Sequence, residues 1–598
     1  MIKESYRKIF IVESLKNWSE KLDYHTSKDL VLTLDYGLKN YIETLGGEVY
    51  YLDSLNSIEV LQANNLIFLE FLQEWFLNLS GQDLFHYKGI NFGKSFRILF
   101  WSELMYFVRL CLSLEEIIKI QYENIILSEE SHYIKMSLNE LGIRFEERRS
   151  EQVNSVGTYF FDIHRYMSEA LNDHSLKYRA IKIYQAMYSR IRLFLDELIQ
   201  SKHRRVCVQV YHPTLEIIRK LRLTPRIQVI TSGYVPVDKK LSLLYQRIIL
   251  SPKNYKRSQL KAEAILADFH LMKNRNLVLT NGRDITNSCY KIIDHYIENK
   301  IPIAISEIDA ALRFQRKLKL SLNICISSIG LSNTIFHEVC KAKGVESLFI
   351  ANGLLNSKFG DEGNDFDYIN CYSSEMKRNY FSDSPKAIPL GDPRMDAYGS
   401  QTPERKIERR HPTIVIGTSG FNSTDFTSYV AIEFEFMSDI LSAISKVPDY
   451  GKKVEITIKV RPNGYLEQYK NFVREYFPSL NISVIQKISM IDLLAKCDLY
   501  ISIASQTLFE ASCLGIPVIY YKKDREIMDS PFNSKSELPT FHNSNELLVA
   551  LNKFRLGSDS FAVFQDRKVM EKYIGPLDGL NLNRNLDFIY NLISSKTV

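Results

Sequence analysis

The sequence predicts an α/β protein built from two doubly wound parallel sheets that face each other across a cleft. The first observation is a regular alternation of apolar strand-like runs with helix-like segments between residues 411 and 575. The second is another group of strand-like runs before residue 404. Strands separated by single helices need crossover connections, which produce parallel sheets. The 598 residues, 45% apolar and 24% charged, suffice for several domains with large cores.

The C-terminal domain, residues 411–575, has the clearest pattern. The predicted strands are 413–420, 454–462, 482–487, 498–505 and 517–521. The predicted helices are 434–447, 467–477, 490–497, 506–515 and 546–554. Pro462 ends one strand and Gly515 closes one helix, as these residue types often do.

The N-terminal domain, residues 1–403, is less regular. We interpret residues 1–57 and about 201–400 as one α/β domain that carries a helical insertion over about 58–200. Its predicted strands are 8–14, 29–37, 48–54, 205–210, 226–233, 276–282, 301–307, 323–328 and 347–353, with a helix over 38–47. The charged segment 404–412 is the expected linker, and a helix within 580–598 is expected to cross back to the first domain.

Composition excludes several classes of protein. The net charge of +6 is small, and no basic block indicates a nucleic-acid partner. The eight cysteines are isolated, which is typical of core thiols in a reducing compartment. The N-terminus lacks the apolar stretch of a signal peptide, and segment 95–114 carries three charges that favour a buried helix over a membrane span. We therefore expect a cytoplasmic protein. Peripheral membrane contact by the aromatic-rich helices of 60–115 stays an alternative to their burial.

Lys459 and Arg461 end one predicted strand of the C-terminal domain. Residues at alternate positions project to one face of a strand, and ligands of such sheets bind at the carboxyl ends of the strands. A pair of cations there suits a diphosphate or the phosphate of a sugar nucleotide. The alternative is a solvated strand end.

Residues 502–510 follow another strand and open a helix. Ser505, Gln506 and Thr507 add side-chain donors to the free N–H groups of a helix start, which bind anions. Glu510 lies one turn further on the same side, where a carboxylate suits the hydroxyls of a ribose. Ordinary helix capping by Ser505 is the alternative.

The loop Gly417-Thr418-Ser419 follows the first strand of this domain, and glycine permits close approach to a phosphate. A plain turn is the alternative. The Pro/Gly turn 390–399, with Asp392 and Arg394, fits a hinge as well as a ligand contact.

A general base at a strand end of the N-terminal domain should be a carboxylate or a histidine. Glu307, which ends the run 301–307, is the first candidate, and Asp35, near the end of the run 29–37, is the second. His337, on a helix after strand 323–328, is the third. The structural alternative for Glu307 is a helix cap or a solvent-exposed side chain. The alternative for His337 is a helix residue whose hydrogen bonds are made within the fold. No P-loop, GxGxxG, HExxH or GxSxG motif occurs.

Segments 390–396, 459–462 and 502–518 together resemble GT-B glycosyltransferases of bacterial surface-polysaccharide assembly. The nearest likenesses are to capsule-type Kdo transferases and CDP-glycerol glycerophosphotransferases, mainly over residues 335–525. The sequence departs from those families in two places. Arg461 stands where they often have a histidine before proline, and Asn352-Gly353 stands where a His-Gly pair can occur. The second departure favours a carboxylate base.

The resemblance implies an enzyme with a GT-B fold that transfers sugar from a nucleotide donor, held by the C-terminal domain, to a glycan or lipid-linked glycan acceptor. It implies no cofactor and no metal, because cationic side chains neutralise the leaving phosphate. The first donor hypothesis is a CMP-activated Kdo or nonulosonate. A CDP-polyol, a UDP- or GDP-sugar, an epimerase on the same scaffold and a non-catalytic sugar-nucleotide-binding partner in a polysaccharide assembly complex stay open.

Overall fold

The computed structural model describes most of the chain. The described ranges are 3–19, 22–128, 132–148, 157–161, 203–232, 255–327, 330–354, 363–399, 406–418, 428–461, 464–523 and 528–594, with single helical positions between 183 and 195. Most of the second half of the expected insertion lies outside these ranges. Three parallel sheets organise the described residues.

The N-terminal unit is built around a five-stranded sheet. In chain order its elements are β1 (Ser5–Val12), β2 (Leu30–Thr33), α1 (Tyr36–Thr44), β3 (Glu48–Tyr51), α2 (Ile58–Glu74), β4 (His86–Tyr87), β5 (Ile90–Asn91), α3 (Arg97–Ile118), β6 (Gln121–Leu127), α4 (His132–Glu140) and β7 (Glu146–Glu147). The sheet order is β3-β2-β1-β6-β7, and β4 and β5 form a separate hairpin. Helix α3 is buried along most of its length. This agrees with the buried helix that the sequence predicted for segment 95–114.

The second unit contains a six-stranded sheet. Its elements are β8 (Arg204–Gln209), α5 (Leu215–Leu223), β9 (Ile227–Ser232), α6 (Tyr255–Met272), α7 (Thr286–Ile297), α8 (Ile301–Leu318), β10 (Leu322–Cys325), α9 (Leu331–Ala342), β11 (Glu346–Ile350), β12 (Tyr368–Asn370), α10 (Ser374–Phe381), β13 (Ala387–Ile388) and α11 (Asp396–Gly399). The order is β13-β12-β11-β10-β8-β9, with every pair parallel.

The third unit contains the other six-stranded sheet. Its elements are β14 (Thr413–Gly417), α12 (Ile432–Lys446), β15 (Glu455–Lys459), α13 (Leu466–Tyr476), β16 (Ile482–Ile485), α14 (Met490–Leu494), β17 (Leu499–Ser502), α15 (Thr507–Cys513), β18 (Val518–Tyr521), β19 (Thr540–Phe541), α16 (Ser544–Arg555), α17 (Arg567–Ile574) and α18 (Asn581–Ser594). The order β16-β15-β14-β17-β18-β19 is that of a dinucleotide-binding doubly wound sheet.

Alternating side chains of the third sheet enter two different cores. Ile414, Ile416 and Ile458 pack with helices on one face, whereas Val415 and Tyr520 pack with helices on the other. A sheet covered by helices on both faces needs apolar residues at consecutive positions, which is the pattern in the sequence. The predicted class, an α/β protein with two doubly wound Rossmann-like sheets, is confirmed by the second and third units.

Three parts of the sequence interpretation need correction. Residues 1–57 do not share a sheet with residues after 201, because β1 pairs with β2 on one side and with β6 on the other. The expected insertion supplies β6 and is therefore not purely helical. Segment 276–282 forms only an isolated bridge between Val278 and Asp284.

The run 301–307 is the start of helix α8 and not a strand. Its buried positions Ile301, Ala304, Ile305 and Ile308 recur at helical spacing, and Pro302 sits in the first turn, where proline is tolerated. A short apolar run fits both strand and helix periods, so tertiary burial of one face decided the outcome.

The last helix, α18, packs on the second sheet although it follows the third. Leu586, Ile589 and Ile593 lie in the core formed by β8, β10 and β11. Within the described ranges, no helix combines the length and the apolar character that crossing a bilayer requires.

A buried ion pair of the N-terminal unit also forms hydrogen bonds to the third unit. Arg109 Nη2 lies 3.1 Å from Asp53 Oδ2, and both side chains are fully buried. The Val430 N–H donates to the same carboxylate oxygen at 2.9 Å, and Arg109 Nη1 donates to the carbonyl oxygen of Ser428. Removing one partner of such a pair leaves an uncompensated buried charge.

We expect Arg109→Met to lower the free energy of unfolding of the N-terminal unit by about 3–5 kcal/mol. Urea unfolding followed by tryptophan fluorescence measures this directly, because Trp18, Trp75 and Trp101 all lie in that unit. Lys119→Met, at the exposed end of the same helix, is the control and should change little. A loss for Arg109→Met no larger than that of the control would contradict the assigned role of the pair.

Candidate active site

The carboxyl ends of the second and third sheets meet at one junction. Gln506, which follows β17, donates from Nε2 to Asp392 Oδ2 and accepts at Oε1 from Arg394 Nη2 at 2.8 Å. Asp392 and Arg394 follow β13 of the second sheet. Parallel strands bring all their carboxyl ends to one edge, and ligands of such sheets bind there. The junction therefore marks the candidate active site.

Arg394 is held in place by its own turn. Its Nη2 lies 2.9 Å from Asp392 Oδ2, its Nε donates to both carboxylate oxygens at 3.1 Å, and its Nη2 also reaches Tyr372 OH at 3.2 Å. Burial alone would lower the pKa of this guanidinium, but Asp392 and Tyr372 raise it. A charged, oriented guanidinium thus stands between the two sheets.

Helix α18 positions that turn. The Asn581 Nδ2 donates to the carbonyl oxygen of Asp392 at 3.1 Å, and Asp396 accepts from the N–H groups of Asn581 and Leu582 at 3.0 and 2.8 Å. Gly391 has φ +80°, and a Cβ there would lie 1.9 Å from Asn581 Oδ1. The sequence analysis left two interpretations of this turn open, a hinge and a ligand contact. In the structure helix α18 holds the turn, which carries Asp392 and Arg394 of the junction.

The loop after β11 reaches the same place. Gly353 has φ +122°, and a Cβ built on it would lie 3.5 Å from Gln506 Oε1. The Gly353 N–H donates to Tyr372 OH at 3.4 Å. The Asn352-Gly353 pair, noted as a departure from the resembling families, thus borders the junction.

Glu510 lies behind Gln506 on helix α15. Its Oε2 accepts from Tyr398 OH at 3.1 Å. Burial raises its pKa, and the nearby positive charge of Arg394 opposes that shift. Glu510 is therefore part of the same electrostatic cluster as Arg394.

The hydroxyls of Ser505 and Thr507 form a short chain. Their oxygens lie 2.8 Å apart, Thr507 Oγ1 lies 2.6 Å from Tyr500 OH, and the Thr507 N–H donates to Ser505 Oγ at 3.3 Å. The alternative interpretation of the sequence made Ser505 the helix N-cap. In the structure Gln506 holds that position, and α15 begins at Thr507.

The other candidates for donor binding line the same edge of the third sheet. In the register of the strands, Lys459 stands opposite Gly417, and Gly417 stands opposite Ser502. Neighbouring strands are about 4.8 Å apart, so β15 and β17 end roughly 10 Å from each other. Ser419 lies outside the described residues.

Each of these residues has a defined local environment. Lys459 Nζ donates to the carbonyl oxygen of Gln486 at 2.7 Å, and burial lowers its pKa. Arg461 is exposed beyond the strand end. The Thr418 N–H continues the ladder to the carbonyl oxygen of Lys459 at 3.2 Å. A Cβ at Gly417 would lie 2.2 Å from Tyr500 OH, so glycine is required there.

Asp35 is a structural clamp. Its carboxylate accepts from the N–H groups of Gly37, Tyr159 and Leu15 at 2.7, 3.1 and 3.2 Å. Burial raises its pKa to about 6, although these three hydrogen bonds lower it. All three donors are backbone N–H groups. The carboxylate therefore ties the loops at Leu15 and Tyr159 to the start of α1.

Glu307 and His337 lie on helices, each inside a core. Glu307 is buried on α8, not at a strand end as predicted, and Ser332 Oγ donates to its Oε1 at 2.7 Å. His337 is on a helix as predicted, with its ring centre 4.1 Å from that of Phe366, and burial lowers its pKa to about 4. The hydrogen bonds described for Asp35 and Glu307, and the ring contact of His337 with Phe366, do not connect these residues to the junction.

His212 is a candidate site residue that the sequence analysis missed. It follows β8, and the short helical turn His212–Thr214 packs against the turn Pro393–Met395 that holds Arg394. Its side chain is exposed, and burial of part of the ring and the charge of Arg394 lower its pKa. The strand order reverses between β8 and β10, which is where doubly wound sheets bind ligands. A strand followed by Tyr211-His212-Pro213 was the available signal.

No protein-family model and no curated protein sequence matches the chain. Several solved structures do. A Listeria monocytogenes protein described as a UDP-N-acetylglucosamine 2-epimerase has a TM-score of 0.43 and 11% identity, and covers 66% of this chain and 98% of its own. MurG of Acinetobacter baumannii has 0.34 and 13%, with coverages of 65% and 99%. The wall teichoic acid polymerase TagF has 0.36 and 12%, with coverages of 70% and 99%. These scores assign no activity to the chain.

The environment of Glu307 predicts a pH-dependent stability. Burial raises the pKa of this carboxyl to about 7, so the folded state favours the protonated form. The stabilisation is fully present below pH 4.5, the ordinary pKa of glutamate, and is lost as the pH rises through about 7. We expect Glu307→Gln to resist urea better than the unchanged protein at pH 8 and about equally at pH 5.

Glu298→Gln, at an exposed position in the same part of the chain, is the matched control and should behave alike at both pH values. Urea midpoints at pH 5 and pH 8 measure the difference. An equal effect of Glu307→Gln at the two pH values would show that its carboxyl ionises normally.

Proposed function

We propose that the protein is a glycosyltransferase that moves a sugar from a nucleotide donor to a surface-glycan acceptor. The observation that carries this proposal is the junction of Asp392, Arg394 and Gln506, where the ligand-binding edges of two Rossmann-like units meet. A donor held by one unit and an acceptor held by the other would react at such an edge. The likeness of segments 390–396, 459–462 and 502–518 to GT-B transferases supports the same assignment.

The donor nucleotide is assigned to the third unit. In this assignment Glu510 accepts hydrogen bonds from ribose hydroxyls, and the hydroxyls of Ser505 and Thr507 donate to phosphate. Lys459 and Arg461 add positive charge along the same edge, next to Gly417. Cationic groups that are already oriented stabilise the charge that develops on a leaving phosphate, without reorganisation during the reaction.

The acceptor is assigned to the second unit, with His212 as the general base. A lowered pKa keeps its imidazole neutral near pH 7, so it can take the proton of an acceptor hydroxyl. The freed oxygen attacks the anomeric carbon, the bond from that carbon to the donor phosphate breaks, and the phosphate leaves with the electron pair. Arg394, Lys459 and Arg461 then balance its charge in place of a metal ion.

His212 replaces the bases expected from the sequence. Asp35 holds three backbone N–H groups and Glu307 holds Ser332, so both carboxylates already have structural partners. Asp35, Glu307 and His337 are therefore assigned to positioning and packing.

The donor nucleotide remains to be identified among four. A CMP-activated keto-sugar is the first hypothesis, with a CDP-polyol and a UDP- or GDP-sugar as alternatives. A nucleotide that binds the folded state alone, at 100 times its Kd, stabilises it by about 2.7 kcal/mol. We expect one of CMP, CDP, UDP and GDP to raise the midpoint of thermal unfolding clearly more than the other three.

Arg461→Ala should abolish most of that shift and lower turnover by a factor on the order of 10²–10³, as expected for a lost charge-stabilising donor. Arg474→Ala, on the solvent side of helix α13, is the control. Binding without any transfer would favour a non-catalytic partner protein, and conversion of the donor sugar without an acceptor would favour an epimerase. Absence of a shift with all four nucleotides contradicts the proposal.

His212→Gln should lower kcat by a factor of about 10²–10⁴, the usual contribution of a general base. It should also remove the limb of the kcat/KM profile on which activity rises with pH below 6.5, because glutamine does not titrate there. His203→Gln, an exposed histidine just before β8, is the matched control. An unchanged profile for His212→Gln excludes it as the base.

A further inference from the structure

A cavity lies at the opposite edge of the second sheet from the candidate active site. Its volume is about 760 Å³. Lys319 and Leu320 precede β10, and Lys343 to Val345 precede β11, so the cavity borders the amino ends of these strands. Strand β11 runs from one edge of the sheet to the other. Its 5 residues span roughly 16 Å, at about 3.3 Å per residue.

Positive charge dominates the lining of this cavity. Lys88 comes from the β4–β5 turn, Lys261 comes from α6, and the other cations come from α8 and from the segments before β10 and β11. The full set is Lys88, Lys261, Arg313, Arg316, Lys319 and Lys343, and Asp309 is the one acidic residue of the lining. The whole chain has a net charge of only +6, so this is a strong local concentration.

Asp309, the one acidic residue of the lining, already has partners within the protein. Asp309 forms an ion pair with Lys88, and Tyr87 OH donates to it at 3.4 Å. Lys261 Nζ donates to Tyr87 OH at 3.1 Å and lies 4.6 Å from the centre of that ring. Among the described residues, no acidic group pairs with the side chains of Arg313, Arg316, Lys319 or Lys343. Four cations thus face the cavity without compensation.

Neutralisation of helix dipoles explains only part of this arrangement. Helices α8 and α9 end at the cavity, and cations near a helix C-terminus contribute about 0.3–1 kcal/mol. Lys88 and Lys261, however, belong neither to these helices nor to the segments that follow them. Three separate parts of the fold bring cations to one concave site, which dipole compensation does not require.

We propose that this cavity binds a ligand carrying two or more phosphoryl groups, either as a free metabolite or as the headgroup of a lipid. Arginine presents a planar fork that matches phosphate oxygens, and lysine adds compact charge. A singly charged carboxylate would leave most of the cations unpaired, whereas closely spaced phosphates would pair with several at once. The proposal is independent of the reaction assigned to the opposite edge.

Titration of the full-length protein with inorganic tripolyphosphate by calorimetry tests the free form, at about 50 mM salt, where exposed charges are little screened. Sedimentation with cardiolipin vesicles, against phosphatidylcholine vesicles, tests the lipid form. In whichever arm shows binding, the variant Arg313→Gln/Arg316→Gln should weaken it by at least tenfold, which is about 1.4 kcal/mol or more. Both positions are exposed, so the change should not disturb folding.

The control variant Lys291→Gln/Lys496→Gln removes the same charge at exposed positions outside the cavity and should stay within about twofold of the unchanged protein. Saturable binding of tripolyphosphate identifies a free ligand, and retention by cardiolipin alone identifies a lipid headgroup. Absence of binding in both arms, or equal loss in the cavity and control variants, overturns the proposal. Donor transfer measured in parallel separates this outcome from failure of the proposed function.

Discussion

The contact of Asp392, Arg394 and Gln506 is the interaction on which the rest of the site depends. It joins two sheets at the edges where parallel strands end, and it places a charged guanidinium between them. Its geometry is set from outside the two sheets, because helix α18 returns from the third unit and holds the turn through Asn581 and Asp396. The hydrogen bonds from that helix add to the contacts that Arg394 makes within its own turn and with Gln506.

The N-terminal unit restricts how the two Rossmann-like units can move. Its helices share a core with the helices that cover the second sheet, and that same core includes Val430 and Ala431 of the third unit. The hydrogen bonds of Asp53 with Val430 and of Arg109 with Ser428, and the ion pair of Lys39 with Glu435, add polar contacts to the third unit. A change in the relative position of the second and third units would therefore disturb contacts that the N-terminal unit makes with both.

The two edges of the second sheet have different electrostatic character. At the carboxyl edge, Arg394 is paired with Asp392, and Glu510 and Gln506 lie close by, so the charges are balanced and oriented. At the amino edge, several cations lie around a cavity with one acid. Paired and oriented charges suit a reaction in which charge moves. Cations without an acidic partner suit the binding of an anion. The same sheet thus offers two chemically distinct surfaces.

The sequence by itself determined the strands and helices of the third unit and the segment Ser505 to Glu510, because a doubly covered parallel sheet leaves a strong alternating pattern and its ligand edge is set by strand direction. Only the tertiary structure decided the rest. Glu307 sits on a helix because one apolar face of α8 is buried, and β1 selects β6 as its partner from far along the chain. Arg394, Gln506 and His212 become neighbours through sheet order and through a helix that crosses back from the end of the chain. Local spacing carries no record of such long-range contacts, so they are specified only when the cores pack.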